Sequence, residues 1–124
     1  MLLGQELTEK VLGAALEVHR HLGPGLLESA YEACLSHELS TRSIRFQRQV
    51  VLPVRYKGMA IDCSYRMDMV IENTLILEIK SVEKIDPVHT AQLMTYLKLS
   101  QMRIGILLNF NVPILKQGIV RRVL

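Results

Sequence analysis

The sequence predicts one α/β domain built on a mixed sheet, and three observations lead there. Apolar residues recur at helical spacing in two N-terminal stretches and again around residue 90, while alternating or wholly apolar runs of strand length lie between and after them. The order helix, strands, helix, strand is that of a layered fold. At 124 residues the chain can bury one core without staples and leaves no room for a second domain.

The apolar positions Leu7, Val11, Ala14, Ala15, Val18 and Leu22 predict a first helix, which Gly23-Pro24-Gly25 ends. A second is expected from Leu26 to about Leu39, carried by Leu27, Tyr31, Cys34, Leu35 and Leu39. Alternation from Phe46 to Tyr56 then predicts a strand up to the Lys57-Gly58 turn, and Met59 to Ile71 a second strand or a bent pair. Glu72-Asn73-Thr74 supplies turn chemistry before Leu75 to Ile79, a short apolar run of the kind that forms a central strand. Asp86-Pro87 offers a cap and a first-turn proline for a third helix over Val88 to Ser100. Arg103 to Phe110 is expected as a buried strand, Pro113 as its break, and Gly118 to Leu124 as an edge strand.

Composition narrows the function classes. No apolar run approaches the roughly 18 residues of a membrane span. Glu6, Glu9 and Lys10 stand where a signal peptide would be apolar, so the chain is expected to be cytoplasmic, with no membrane partner. Cys34 and Cys63, far apart and in apolar contexts, are expected to be reduced core thiols. A net charge of +3 permits a polyanionic partner without demanding one. With no Trp and two Phe the chain lacks a stacking platform for single strands, and no Gly-rich loop follows a strand to serve a nucleotide-driven motor.

Glu28, Asp68, Glu78 and Lys80 are polar where the pattern calls for apolar side chains. In Leu75-Ile76-Leu77-Glu78-Ile79-Lys80, alternation puts Glu78 and Lys80 on one face and Leu77 and Ile79 on the other. If the turn is Glu72-Asn73-Thr74, Ile71 opposes Leu75 and Asp68 opposes Glu78, so both acids share a face; a two-residue turn would part them unless a bulge restored the register. Two adjacent carboxylates stay ionised only beside a cation, and clustered oxygens suit Mg²⁺ or Mn²⁺. Such an ion serves phosphodiester hydrolysis, with Lys80 orienting water or meeting charge on the phosphate. An isolated E-x-K triplet is also what any solvent-facing strand with a Glu-Lys pair displays. Glu28 shares a helical face with Tyr31, Leu35 and Leu39, and in the first turn it is equally a helix-start acid. Gln92 and Tyr96 share a face with Val88 and Leu99, where a core tyrosine is ordinary and a glutamine is not.

Gly25-Leu26-Leu27-Glu28-Ser29-Ala30-Tyr31 follows His21-Leu22-Gly23-Pro24. After it come Tyr65-Arg66-Met67-Asp68, Leu77-Glu78-Ile79-Lys80, Ala91-Gln92-Leu93-Met94-Thr95-Tyr96-Leu97, and Gly105 to Phe110. On these motifs, over nearly the whole chain, the sequence resembles the GxxExxY proteins, a branch of the PD-(D/E)XK nuclease superfamily. The resemblance implies a restriction-endonuclease-like three-layer fold, a central mixed β-sheet flanked by helices. It implies Asp68 and Glu78 as metal ligands, Glu28 as an additional helix acid beside the metal, Lys80 as the catalytic lysine, and Gln92 with Tyr96 as the trailing helix motif. One departure from the wider superfamily is the absence of proline in Arg66-Met67-Asp68.

The expected activity is therefore Mg²⁺- or Mn²⁺-dependent hydrolysis of nucleic acid, with DNA favoured over RNA and the oligomeric state open. The alternative is a non-catalytic nucleic-acid- or protein-binding module that keeps the nuclease fold. Arg42, Arg45, Arg48, Arg55, Lys57, Arg121 and Arg122 are candidates for phosphate contact or for plain solvation. His21 and His89 are within sequence reach of the site, although solvated or capping roles suit histidines so placed. The methionines Met59, Met67, Met69, Met94 and Met102 are expected as core filler.

Overall fold

A computed structural model describes residues 4–62 and 65–124. Its elements in chain order are α1 (Gln5–Leu22), α2 (Glu28–Thr41), β1 (Phe46–Val51), β2 (Val54–Tyr56), β3 (Met59–Ile61), β4 (Arg66–Ile71), β5 (Leu75–Lys80), α3 (Pro87–Ser100), β6 (Ile104–Asn109), a 3-10 turn (Leu115–Gly118) and β7 (Ile119–Val123). One sheet has the strand order β1-β4-β5-β6-β7, and β2 with β3 forms a separate two-stranded ribbon. Neighbours pair antiparallel except β5 and β6, which run parallel on either side of α3 in the chain. This is the α/β fold with a mixed sheet that the residue pattern predicts.

The layers follow from what each strand must bury. In β5 every residue except Lys80 is buried, and β6 is buried throughout, so the sheet needs cover on both faces. Val11, Ala14, Ala15 and Val18 of α1 and Tyr31, Leu35 and Leu39 of α2 join Leu75, Leu77 and Ile79 on one face. Leu93, Tyr96 and Leu97 of α3 join Ile76 and Leu107 on the other. Three layers result, with α1 and α2, the sheet, and α3 stacked in that order.

Gly23 ends α1 with φ 67, and its N–H donates to the His19 carbonyl at 2.8 Å. The Tyr31 hydroxyl then ties the connection to α2 by donating to the Gly23 carbonyl at 2.5 Å and accepting from the Leu26 N–H at 3.1 Å, while its ring stacks on Phe110 at 4.5 Å. At α3, the Asp86 N–H donates to His89 Nδ1 at 3.1 Å, closing a capping box behind Pro87.

Several expectations are corrected. The strand expected over Phe46 to Tyr56 is two, because Pro53 has no N–H for a ladder and the chain turns out of the sheet there. Cys34 is exposed, since the buried face of α2 runs through Tyr31, Glu32, Leu35, Ser36 and Leu39; Cys63 lies outside the described residues. Leu27, Val88, Leu99 and Met59 are also exposed, whereas Met67 and Met69 are core. Among the described residues no helix is long and apolar enough to cross a membrane.

Gly105 sets how closely α3 approaches the sheet: a Cβ there would lie 2.7 Å from Leu93 Cδ1 and 3.0 Å from its Cγ. Gly105→Ala should cost about 1–3 kcal/mol by overpacking. Adding Leu93→Val should recover part of that loss, which urea unfolding of the single and double variants measures.

Candidate active site

The β4–β5 ladder runs from Ile71↔Leu75 through Val70↔Ile76 to Met69↔Leu77, the register of a three-residue turn. Glu72 and Asn73 make that turn in left-handed backbone, each at φ 51. At the next step side chains replace backbone carbonyls. The Asp68 N–H donates to Glu78 Oε2 at 2.8 Å, and the Ile79 N–H donates to Asp68 Oδ2 at 2.8 Å. Each carboxylate thus serves a backbone donor of the opposite strand, and the two are fixed on one spot. Each is held through one oxygen. Among the described residues, Asp68 Oδ1 receives only a long contact from Gln49 Nε2, at 3.4 Å.

Burial decides the electrostatics. Glu78 is only 4% exposed, and burial, followed by the charge of Asp68, pushes its carboxyl up to about 8. Burial also raises Asp68, against the Ile79 N–H that lowers it; Glu32 raises it further, and Lys80 and Gln49 oppose. Tyr96 is raised by burial and then by the charges of Glu78 and Asp68, so its hydroxyl remains protonated beside the pair.

The site residues expected from the sequence fall into two groups. Asp68, Glu78, Lys80 and Tyr96 come together: both carboxyls respond to Lys80, and Tyr96 responds to both carboxyls. Glu28 stands exposed one step along, where its Oε2 accepts from the Ser81 N–H at 3.1 Å while Ser81 Oγ donates to the Leu26 carbonyl at 2.6 Å. Gln92 is half-buried on α3, and no hydrogen bond among the described residues joins it to the pair. Among the described residues no three His, Cys, Asp or Glu side chains gather as a metal-binding group. The donor set is thus the two carboxylates, each with an oxygen to spare. That set fits a hard divalent cation, which keeps several waters and takes one or two protein carboxylates, and such a cation relieves the repulsion that raises Glu78.

Three residues of the surroundings were not legible as such in the sequence. Glu32, 8% exposed, accepts from Arg48 Nε at 2.9 Å and from Gln49 Nε2 at 2.7 Å, placing a third acid behind Asp68. Its signal is its position four residues after Glu28, on the same helical flank. Gln49 takes left-handed backbone, φ 51, and links Glu32 to Asp68. Asn109, at the end of the apolar run in β6, is buried. Its amide donates to the Val82 carbonyl at 2.9 Å, and its Oδ1 accepts from the Val82 N–H at 3.1 Å, clamping the chain just beyond Lys80.

Three of the four histidines are engaged elsewhere. His19 Nε2 lies 2.8 Å from the Val112 carbonyl, His21 pairs with Glu17, and His89 caps α3. Of the arginines offered for phosphate contact, Arg42, Arg45 and Arg48 are engaged by Glu38, Glu72 and Glu32.

A family model described as the PD-(D/E)XK nuclease superfamily matches residues 5–123. Neither the curated proteins nor the solved structures contain a match to the chain.

The raised Glu78 carboxyl gives the metal-free protein a pH dependence of definite sign. Its contribution to stability is whole below its ordinary value near 4.5 and is lost as the pH climbs through about 8. Glu78→Gln, which keeps an acceptor for the Asp68 N–H, should therefore melt above the wild type at pH 9 in chelator and close to it at pH 4. Thermal melts at the two pH values check this, and coincident melting at pH 9 contradicts it.

Proposed function

The chain belongs to the PD-(D/E)XK nuclease superfamily, and we propose that it hydrolyses phosphodiester bonds of nucleic acid, DNA in preference to RNA, with Mg²⁺ or Mn²⁺ held by Asp68 and Glu78. The observation that carries this reading is the reciprocal anchoring of the two carboxylates on each other's strand, which commits one oxygen of each and leaves the other for a cation. When bound, such an ion lowers the pKa of water and draws charge from a phosphoryl oxygen.

The remaining work falls to the chain's own groups. Lys80, half-buried two residues after Glu78, places an ammonium beside the pair to orient the attacking water or to meet charge developing on phosphate. Glu28 and Ser81 fasten the start of α2 to the residue after Lys80, so the lysine leaves a strand end that is held from both sides, by Glu28 and by Asn109. Tyr96 adds, from the α3 side, a neutral hydroxyl that can donate beside the two acids. Gln92 stands one turn earlier on α3, half-buried.

Asp68→Ala and Glu78→Ala should each lose Mg²⁺ binding and cleavage together. Lys80→Ala should keep or improve Mg²⁺ affinity, since an ammonium repels the ion, while cleavage falls about a hundredfold or more. Calorimetric titration beside a cleavage assay on duplex and single-stranded DNA and RNA makes the comparison. Equal loss of metal binding in all three variants would make Lys80 structural. A wild type that binds these nucleic acids and cuts none of them, with either ion, would favour a binding module that has kept the fold.

A second measurement reads the metal site without activity. Because Glu78 titrates near 8, Mg²⁺ binding at pH 7 should release close to one proton, and little by pH 9.5. Titrations in buffers of different ionisation enthalpy count that proton, and its absence at pH 7 contradicts Glu78 as a ligand.

A further inference from the structure

We infer that the β2–β3 ribbon is an arm that enters the major groove of duplex DNA and holds the duplex beside the carboxylate pair. The inference deepens the nuclease reading and rests on it for the substrate class. The arm grows from the mouth of the site. The β1–β4 ladder closes at Val51↔Arg66, the Leu52 N–H donates to the Tyr65 carbonyl at 2.8 Å, and the chain then leaves the sheet. Arg66, at that root, stands two residues before Asp68 on the same strand.

Past the root, β2 pairs only with β3, and every residue of the two strands except Val54 is exposed. The register Val54↔Ile61, Arg55↔Ala60 and Tyr56↔Met59 puts Tyr56 and Met59 on one face and Arg55 on the other. Tyr56 and Met59 are 62% and 65% exposed, an apolar pair that the domain itself does not cover. Lys57 sits at the turn, its ammonium 5.3 Å from the centre of the Tyr56 ring.

Charge identifies the occupant. Arg20, Arg42, Arg45 and Arg48 are each neutralised by a neighbouring glutamate. Arg55, Lys57 and Arg66 have no carboxylate partner among the described residues: Arg55 reaches only the Gly58 carbonyl and Arg66 only the Gln49 carbonyl. From Leu52 to Arg66 the only acid is Asp62. Unneutralised cations on a projecting element are what a phosphate backbone binds. The B-form major groove, about 12 Å wide, admits a two-stranded ribbon and offers thymine methyls to apolar side chains. The major groove of A-form RNA is too narrow for side chains to read, and a single strand has no groove to receive both strands of an arm.

The test compares the wild-type chain, Arg55→Ala/Lys57→Ala, and the charge-matched control Lys10→Ala/Arg20→Ala on α1. Each is titrated by fluorescence anisotropy into labelled duplex DNA, single-stranded DNA and duplex RNA over a range of salt. The arm variant should bind duplex DNA about tenfold or more weaker, with a log Kd against log salt slope smaller by about 1.8, the value for two lost phosphate contacts. Its thermal melt and Mg²⁺ titration should match the wild type, and the control should keep the wild-type slope. Equal weakening by the control, an unchanged slope in the arm variant, or the same loss on duplex RNA overturns the inference. A wild type that sediments as a dimer and becomes monomeric in Tyr56→Ala/Met59→Ala overturns it in favour of a second copy of the chain. Arm-dependent DNA binding without cleavage by the wild type would instead overturn the nuclease reading and leave the arm in place, so the two failures are distinguishable.

Discussion

A central strand that is buried on both faces governs this molecule. β5 lies between an antiparallel neighbour and a parallel one, and its buried residues cannot be covered by a single layer, so helices are required above and below. Glu78 is carried into the interior by the same strand. A carboxylate so placed has lost its water, and what compensates it is the backbone of the adjoining strand together with the cation of Lys80. The unusual electrostatics of the site thus follow from the packing demand of β5, and the ladder opens where that demand meets two acids.

The residues of the GxxExxY stretch divide their labour accordingly. Tyr31 spends its hydroxyl on the Gly23 carbonyl and the Leu26 N–H and its ring on Phe110, which makes it a fastening for the entry into α2. Glu28 and Ser81 join that entry to the end of β5. The acid that approaches the carboxylate pair from α2 is Glu32, one turn further on, and it arrives already paired with Arg48 and Gln49. Held by Arg48 as well, Glu32 restrains Gln49 and through it the outer oxygen of Asp68.

Much of this was legible from residue order because the signals are local. Helix periodicity, the Gly23-Pro24-Gly25 stop, the Asp86-Pro87 start and the apolar run of β5 each depend on a few neighbouring residues. The adjacency of Asp68 and Glu78 followed from the length of one turn, since alternation converts a count of loop residues into a choice of face. What escaped depends on partners far away in sequence. Nothing local distinguishes Glu32 from a solvated helix acid until β1 brings Arg48 and Gln49 to it, or Asn109 from a strand-end residue until the chain after β5 folds over it. Cys34 was misplaced because its neighbours Tyr31 and Leu35 are core while α2 turns its own position outward. The break at Pro53 was visible as a residue, but that it releases an arm and not a simple bend is a property of β2, which among the described residues pairs only with β3.

The strand order leaves β1 and β7 as the two rims of the main sheet, each with a row of backbone donors and acceptors that a foreign strand could recruit. The β7 rim is basic, with Arg121 and Arg122 in succession, whereas the one charged residue of β1, Arg48, is paired with Glu32. The ribbon's rims are guarded differently, by strands of three residues each, too short to template a lasting ladder. Like charges repel where two β7 rims meet, so two such domains approaching β7 to β7 in the plane of their sheets are kept from zipping together. A chain nearly half hydrophobic thereby keeps one open sheet edge from pairing with its own copy.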